Sequence, residues 1–186
     1  MTYNTIIYTA VIFCSCMYLF RFFRFSLAIS LFIALLSNFP LILSLSLTQW
    51  LDSICGNPSL LLALISLGSL LAHAKALNFT LPICSTFMLN QRAKFFLFVL
   101  GFVLFWGNIN YLLGFDLFNL DFYTQILFAF GLVVTGYFIQ AYLGVLLLIC
   151  SIGYLLAGGN IFSYMMDILL WLYVTLSLLL GNLRAK

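Results

Sequence analysis

Long apolar runs dominate this chain, and charge is almost confined to the gaps between them. The longest run, Tyr123 to Ala157, has 35 residues and no charged side chain. As one straight helix it would measure about 52 Å at 1.5 Å per residue. The hydrocarbon core of a bilayer is about 30 Å thick. The run therefore predicts two helices folded back on each other. Gln140-Ala141-Tyr142 is its most polar point and the predicted turn.

The same arithmetic applied to the other runs predicts an all-α fold. It is a polytopic transmembrane helical bundle of seven helices, forming a single integral membrane domain over residues 1–186. The helices fall at about 4–20, 25–47, 58–77, 95–113, 123–139, 142–157 and 162–180. Pro40 should kink the second, because it removes a backbone donor and clashes with the preceding turn. Asn57 reads as an N-cap and Pro58 as a first helical residue. Gly158-Gly159-Asn160 should end the sixth helix. The segment 78–94 reads as a loop, in which Phe79, Ile83 and Phe87 suggest an interfacial amphipathic turn.

Composition agrees with a bilayer environment. Hydrophobic residues make up 66% of the chain and charged residues 6%. Soluble domains carry about 25% charge, and so little charge cannot cover a water-exposed surface. Met1 to Phe20 has no basic residue ahead of its apolar run, which predicts a retained helix rather than a cleaved signal.

The charges then set an orientation. With the N-terminus outside, Arg21, Arg24, Lys75, Arg92, Lys94, Arg184 and Lys186 all fall on the cytoplasmic side. Asp52, Asp116 and Asp121 fall outside, and Asp167 lies near the outer end of the seventh helix. This is the positive-inside pattern.

Chemistry-bearing residues are few. Asp167 is the only acid inside an apolar run, and intramembrane acids are functional candidates because their burial is costly. The duller alternative places it at the interface, where water and the positive end of a helix dipole stabilise it. His73 follows Ser69 by four residues, one helical face, which suggests either an activated hydroxyl or an interfacial histidine. Asn108 and Asn110, with Tyr111 and the loop holding Asp116 and Asp121, suggest a small outward-facing polar pocket. An aromatic belt at the headgroup level is the simpler account. Gly68-Ala72-Ala76 and Gly131-Thr135 have the spacing of close helix contacts. Ser66–Ala72 resembles Ser151–Ala157, a short match of the kind inverted repeats leave.

Absences narrow the functions. The chain has no Glu and one His. Bis-histidine haem ligation, zinc-protease motifs and glutamate-dependent mechanisms are excluded. No metal, cofactor or catalytic residue is expected. The five cysteines are odd in number and scattered, so they read as buried thiols.

The leading expectation is a non-catalytic subunit or accessory factor of an envelope assembly in a bacterial-type cytoplasmic (inner) membrane. Its partners would be the lipid bilayer and another membrane protein or a second copy of itself, with no nucleic acid. The alternative is a transporter or facilitator of a small neutral or lipid-like solute. A lipid-modifying enzyme using Asp116, Asp121 and Asp167 is third.

Overall fold

The computed structural model describes residues 3–20, 25–42, 44–75, 89–110 and 120–184. The described chain is helical apart from one short hairpin. Its contacts divide it into two compact units: 1–58 with 62–87, and 59–61 with 88–186.

The first unit contains helices α1 (Tyr3–Leu19), α2 (Ser26–Leu36) and α3 (Leu47–Cys55). Strands β1 (Pro40–Ile42) and β2 (Leu45–Ser46) pair antiparallel between α2 and α3. Helix α4 (Leu60–Lys75) begins in the second unit and continues in the first.

Here the continuous helix expected over 25–47 is corrected. Pro40 does not kink that helix; the helix ends before it. Proline disfavours helical geometry at the residue preceding it, and the carbonyls freed at the end of α2 find local donors. The Ser37 hydroxyl and the Asn38 amide both donate to the carbonyl of Ala34, at 2.7 and 3.1 Å. The backbone N–H groups of Asn38 and Phe39 close the last turn on Leu35 and Leu36. The chain then reverses in a tight turn at Ser44, whose φ of 62° lies in the left-handed region. Where a loop was expected from residue 48, α3 begins instead. Ser46 and Gln49 form a reciprocal capping box at its start. Gly56, at φ 71°, ends it.

Helix α2 has 11 residues, about 16 Å of rise. Together α2, the hairpin and α3 still travel the length of α1. Asn38 meets Thr9, and further on Asp52 meets Asn4 near the start of α1. The helix expected over 25–47 is thus replaced by α2 and the hairpin, and α3 takes the place of the expected loop.

The second unit contains α5 (Gln91–Asn110), α6 (Phe122–Ile139), α7 (Ala141–Ala157), α8 (Ile161–Met165) and α9 (Ile168–Arg184). Helix α5 starts four residues earlier than expected, because the Asn90 side chain accepts the N–H of Ala93 at 2.7 Å. Arg92 and Lys94 therefore stand in its first turn rather than in a loop.

The long apolar run does fold back at Gln140, a single extended residue between α6 and α7. The two helices approach closely at Gly144. A Cβ there would lie 2.6 Å from both Cα and Cβ of Tyr137. Gly131 has nothing within 4 Å of that position. The Gly131–Thr135 stripe is therefore not the seam of this pair.

Helices α5 and α9 run antiparallel. The Lys94 ammonium donates to the Ser177 hydroxyl at 2.7 Å, and the Trp171 indole donates to the carbonyl of Phe98 at 3.1 Å. Trp171 stacks on Phe98 and fits over Gly101, where a Cβ would sit 2.3 Å from its ring. Buried Leu97, Leu104, Leu143, Leu147, Leu170 and Val174 contribute to the apolar core of the unit.

The helix expected over 162–180 is also broken. Met166 is extended, separating the single turn α8 from α9. Among the described helices, Phe122–Ile139 is the one long and apolar enough to cross a membrane. Tyr3–Met17, Ser26–Leu36, Leu60–Leu70, Ala141–Ala157 and Ile168–Leu179 are apolar but shorter.

Candidate functional site

Asp167 stands in the break between α8 and α9, and the residue is 7% exposed. One oxygen accepts the N–H of Leu170 at 2.6 Å, capping α9. The other accepts the N–H of Ser59 at 2.6 Å, at the entry to α4. Two helix starts are thus tied by one side chain. The carboxylate faces the donor-rich, positive ends of helices, which favour an anion. The sequence placed Asp167 inside the seventh helix, either as a functional intramembrane acid or as an interfacial one. The structure places it outside the helix and buried, on two backbone amides.

A second buried group supports this break. Gln125, in the first turn of α6, is 6% exposed. Its amide donates to the carbonyl of Leu120 at 2.8 Å and accepts the N–H of Ile161 at 3.5 Å. The Asn160 side chain caps α8 by accepting from Phe162 at 2.9 Å. Gly158 and Gly159, at φ 75° and 98°, make the turn that delivers these groups. Sequence reasoning passed over Gln125. Its signal was one amide in the opening turn of an otherwise apolar run.

Asp121 is the N-cap of α6 and is exposed. Hydrogen bonds from the Thr124 hydroxyl and then its backbone N–H hold the Asp121 carboxyl below the usual carboxylate range. That cap is in force at neutral pH and weakens as pH falls through the lowered value.

The first unit has its own polar knot. The Thr9 hydroxyl donates to the carbonyl of Thr5 at 2.7 Å and accepts from the Asn38 amide at 3.0 Å. The Thr48 hydroxyl donates to the Asn38 carbonyl oxygen at 3.4 Å. Ser46 meets Thr48 at 3.0 Å. Toward the start of α1, the Asn4 amide donates to Asp52 at 2.7 Å and to Asn57 at 2.9 Å. The Tyr8 hydroxyl donates to the carbonyl of Gly56. Asn57 is not the helix cap expected of it, and α4 starts at Leu60. The signal for this knot lay in α1, where Asn4, Thr5, Tyr8 and Thr9 share one face at helical spacing.

These groups form closed chains of donors and acceptors. Neither knot includes a base beside a nucleophile. Among the described residues, no three His, Cys, Asp or Glu side chains converge on a metal position. Cys14, Cys16, Cys55 and Cys150 are thiols outside any disulfide, and Cys14 donates to the carbonyl of Ser66.

The remaining sequence candidates are only partly within view. Asp116, Tyr111, Cys84 and the 78–88 segment lie outside the described residues. His73 falls on α4, and Asn108 and Asn110 on α5, but their side chains lie outside the description. Of the six candidates, the described side chains are Asp121 and Asp167, and each caps a helix.

Compared with known protein families, curated proteins and solved structures, the chain matches none.

Replacing Asn38 tests the first knot. Asn38→Leu removes the amide that closes α2 and joins it to Thr9. The expected loss is about 1–3 kcal/mol, the cost of stranding buried polar partners. It should be read as a lower unfolding temperature in detergent. Unchanged stability would mean the break at Pro40 is held by the proline alone.

Proposed function

We propose that the chain is a multi-pass integral membrane protein of a bacterial-type cytoplasmic membrane, and a non-catalytic subunit or accessory factor of an envelope assembly. The observation that carries this reading is the state of Asp167. The one acid within an apolar run is bound by two backbone amides, which makes it a structural tie rather than a group held ready for proton transfer. Both described carboxylates of the lipid-enzyme reading act as helix caps, so that reading loses its support.

The multi-pass reading rests on exposed apolar surface. Phe138, Leu156 and Tyr123, on the α6–α7 pair, are 85%, 84% and 82% exposed. Large apolar surface of this kind fits lipid better than water. Within the second unit, Arg92 and Lys94 share an end with Gln140, while Asp121 and Asp167 start helices α6 and α9 at the opposite end. That separation agrees with a cytoplasmic basic face and an outer acidic one. In this reading α2, the hairpin and α3 form one discontinuous crossing. The Asn38 knot then satisfies the backbone and side-chain groups that lipid cannot.

Topology is testable with reporter fusions after Phe22 and after Asp116. A cytoplasm-dependent reporter should work at Phe22 and a periplasm-dependent one at Asp116. The reverse pattern would overturn the orientation. Purification in mild detergent, with the intact complex weighed, tests the assembly. A stoichiometric protein partner is expected. A lone protein that by itself sustains transport or chemistry would overturn the accessory reading.

The second reading, a facilitator of a small neutral or lipid-like solute, is favoured by the break between α2 and α3. Broken helices with polar side chains at the break are where transporters place their solutes. Flux into proteoliposomes that is lost in Asn38→Leu while the protein remains folded would favour it.

A further inference from the structure

We propose that the second unit binds one anionic phospholipid in the valley between the start of α5 and the end of α9, with its phosphate on Arg92 and an acyl chain along the valley. This rests on the membrane reading above. The valley is a groove of about 920 Å³. Gln91 and Arg92, in the first turn of α5, stand at one end of it, level with Ile139 at the end of α6 and Leu179 toward the end of α9. From there Phe95 and Val99 carry an apolar wall along α5, with Thr175 on the α9 side. A cation at the mouth of an apolar slot matches an amphiphile with an anionic head and a hydrocarbon tail.

Among the described residues, no carboxylate lies within ion-pair distance of Arg92. On α9, Asp167 precedes Thr175 at the groove by eight residues, about 12 Å along the axis. Lys94 stands at the same end, but its ammonium is held on the Ser177 hydroxyl, so the head group falls to Arg92. A guanidinium offers a planar fork of donors that fits phosphate oxygens. Basic pockets between helices on the cytoplasmic side of a membrane take anionic head groups in this way. The slot also runs in a usable direction. From Arg92 to Val99 the helix advances about 10 Å toward the middle of α5, deep enough to align a tail with the helices.

The test is native mass spectrometry of the full chain, delipidated in detergent and offered equal amounts of phosphatidylglycerol and phosphatidylcholine with matched tails. Phosphatidylglycerol adducts should exceed phosphatidylcholine adducts by about fivefold, the factor one interfacial cation contributes. Arg92→Gln should bring the two to parity, and Arg92→Lys should keep part of the preference. Val99→Trp, at a position 41% exposed, should fill the slot and remove adducts of both lipids without unfolding the chain. Equal retention by the unaltered protein, or a preference that survives Arg92→Gln, would overturn the site. Alkaline extraction of native membranes separates the two levels of failure. A chain released by carbonate overturns the membrane reading and the lipid site together; a chain that stays but lacks the preference overturns the site alone.

Discussion

Asp167→Ala should be among the most damaging single substitutions in the second unit, costing about 3 kcal/mol. The carboxylate accepts two backbone N–H groups at 2.6 Å in a buried position. Hydrogen bonds to a charged group contribute about 1.5–3 kcal/mol each, and donors left unsatisfied by truncation carry a desolvation cost. Alanine removes both bonds and the cap of α9. Asp167→Asn should cost less, because one oxygen remains as an acceptor. Its amide NH₂, however, must then face a backbone N–H, donor against donor. The expected order of unfolding temperature is therefore native, then Asn, then Ala, and the amount of folded protein in cells should follow it. This ordering separates structure from function. A group retained for proton transfer would lose activity in Asp167→Asn while keeping its stability. If both variants match the native protein in stability, Asp167 is not a tie.

The helical nature of the chain, the fold-back at Gln140 and the stop at Gly158-Gly159 were legible in the sequence. They follow from length, apolarity and breaker residues, which act locally. The two breaks were misread for one common reason. At Pro40 and at Asp167 the apolar run continues through the break, so a reading based on hydropathy runs straight on. What decides these positions is hydrogen bonding. Ser37 and Asn38 close the end of α2, and Ser46 with Gln49 opens α3. The Ser-x-x-Gln spacing was visible as a capping box but lay where a helix was thought to be ending. Asp167 prefers a cap to a helix interior because its side chain competes for backbone donors. Its second partner, Ser59, is 108 residues away. No local pattern carries that pairing. Gln125 is similar: its type marked it as unusual, but its contact with Ile161 exists only after α6 and α8 meet.

Glycine provides the second large effect, and its sign reverses between two positions of one helix pair. Gly144→Ala should destabilise the α6–α7 pair by about 1–3 kcal/mol, the usual cost of forcing extra volume into a packed contact. Gly131→Ala should stabilise it by about 0.5–1 kcal/mol, the helix-interior cost of glycine recovered. Both substitutions gain the same helix propensity, so propensity cannot separate them. The surroundings do. At Gly144 a new Cβ lies 2.6 Å from the Cα of Tyr137 and 2.8 Å from its backbone nitrogen. Backbone cannot rotate away as a side-chain tip can, and the one-residue turn at Gln140 leaves little slack for the helices to part. At Gly131 the new methyl meets nothing within 4 Å. Unfolding in detergent of the two variants beside the native chain measures the difference directly. Equal shifts in the same direction would mean that α6 and α7 do not approach at Gly144. Opposite shifts would fix the seam of the hairpin at Gly136 and Gly144 and leave the Gly131 face turned to lipid or to a partner.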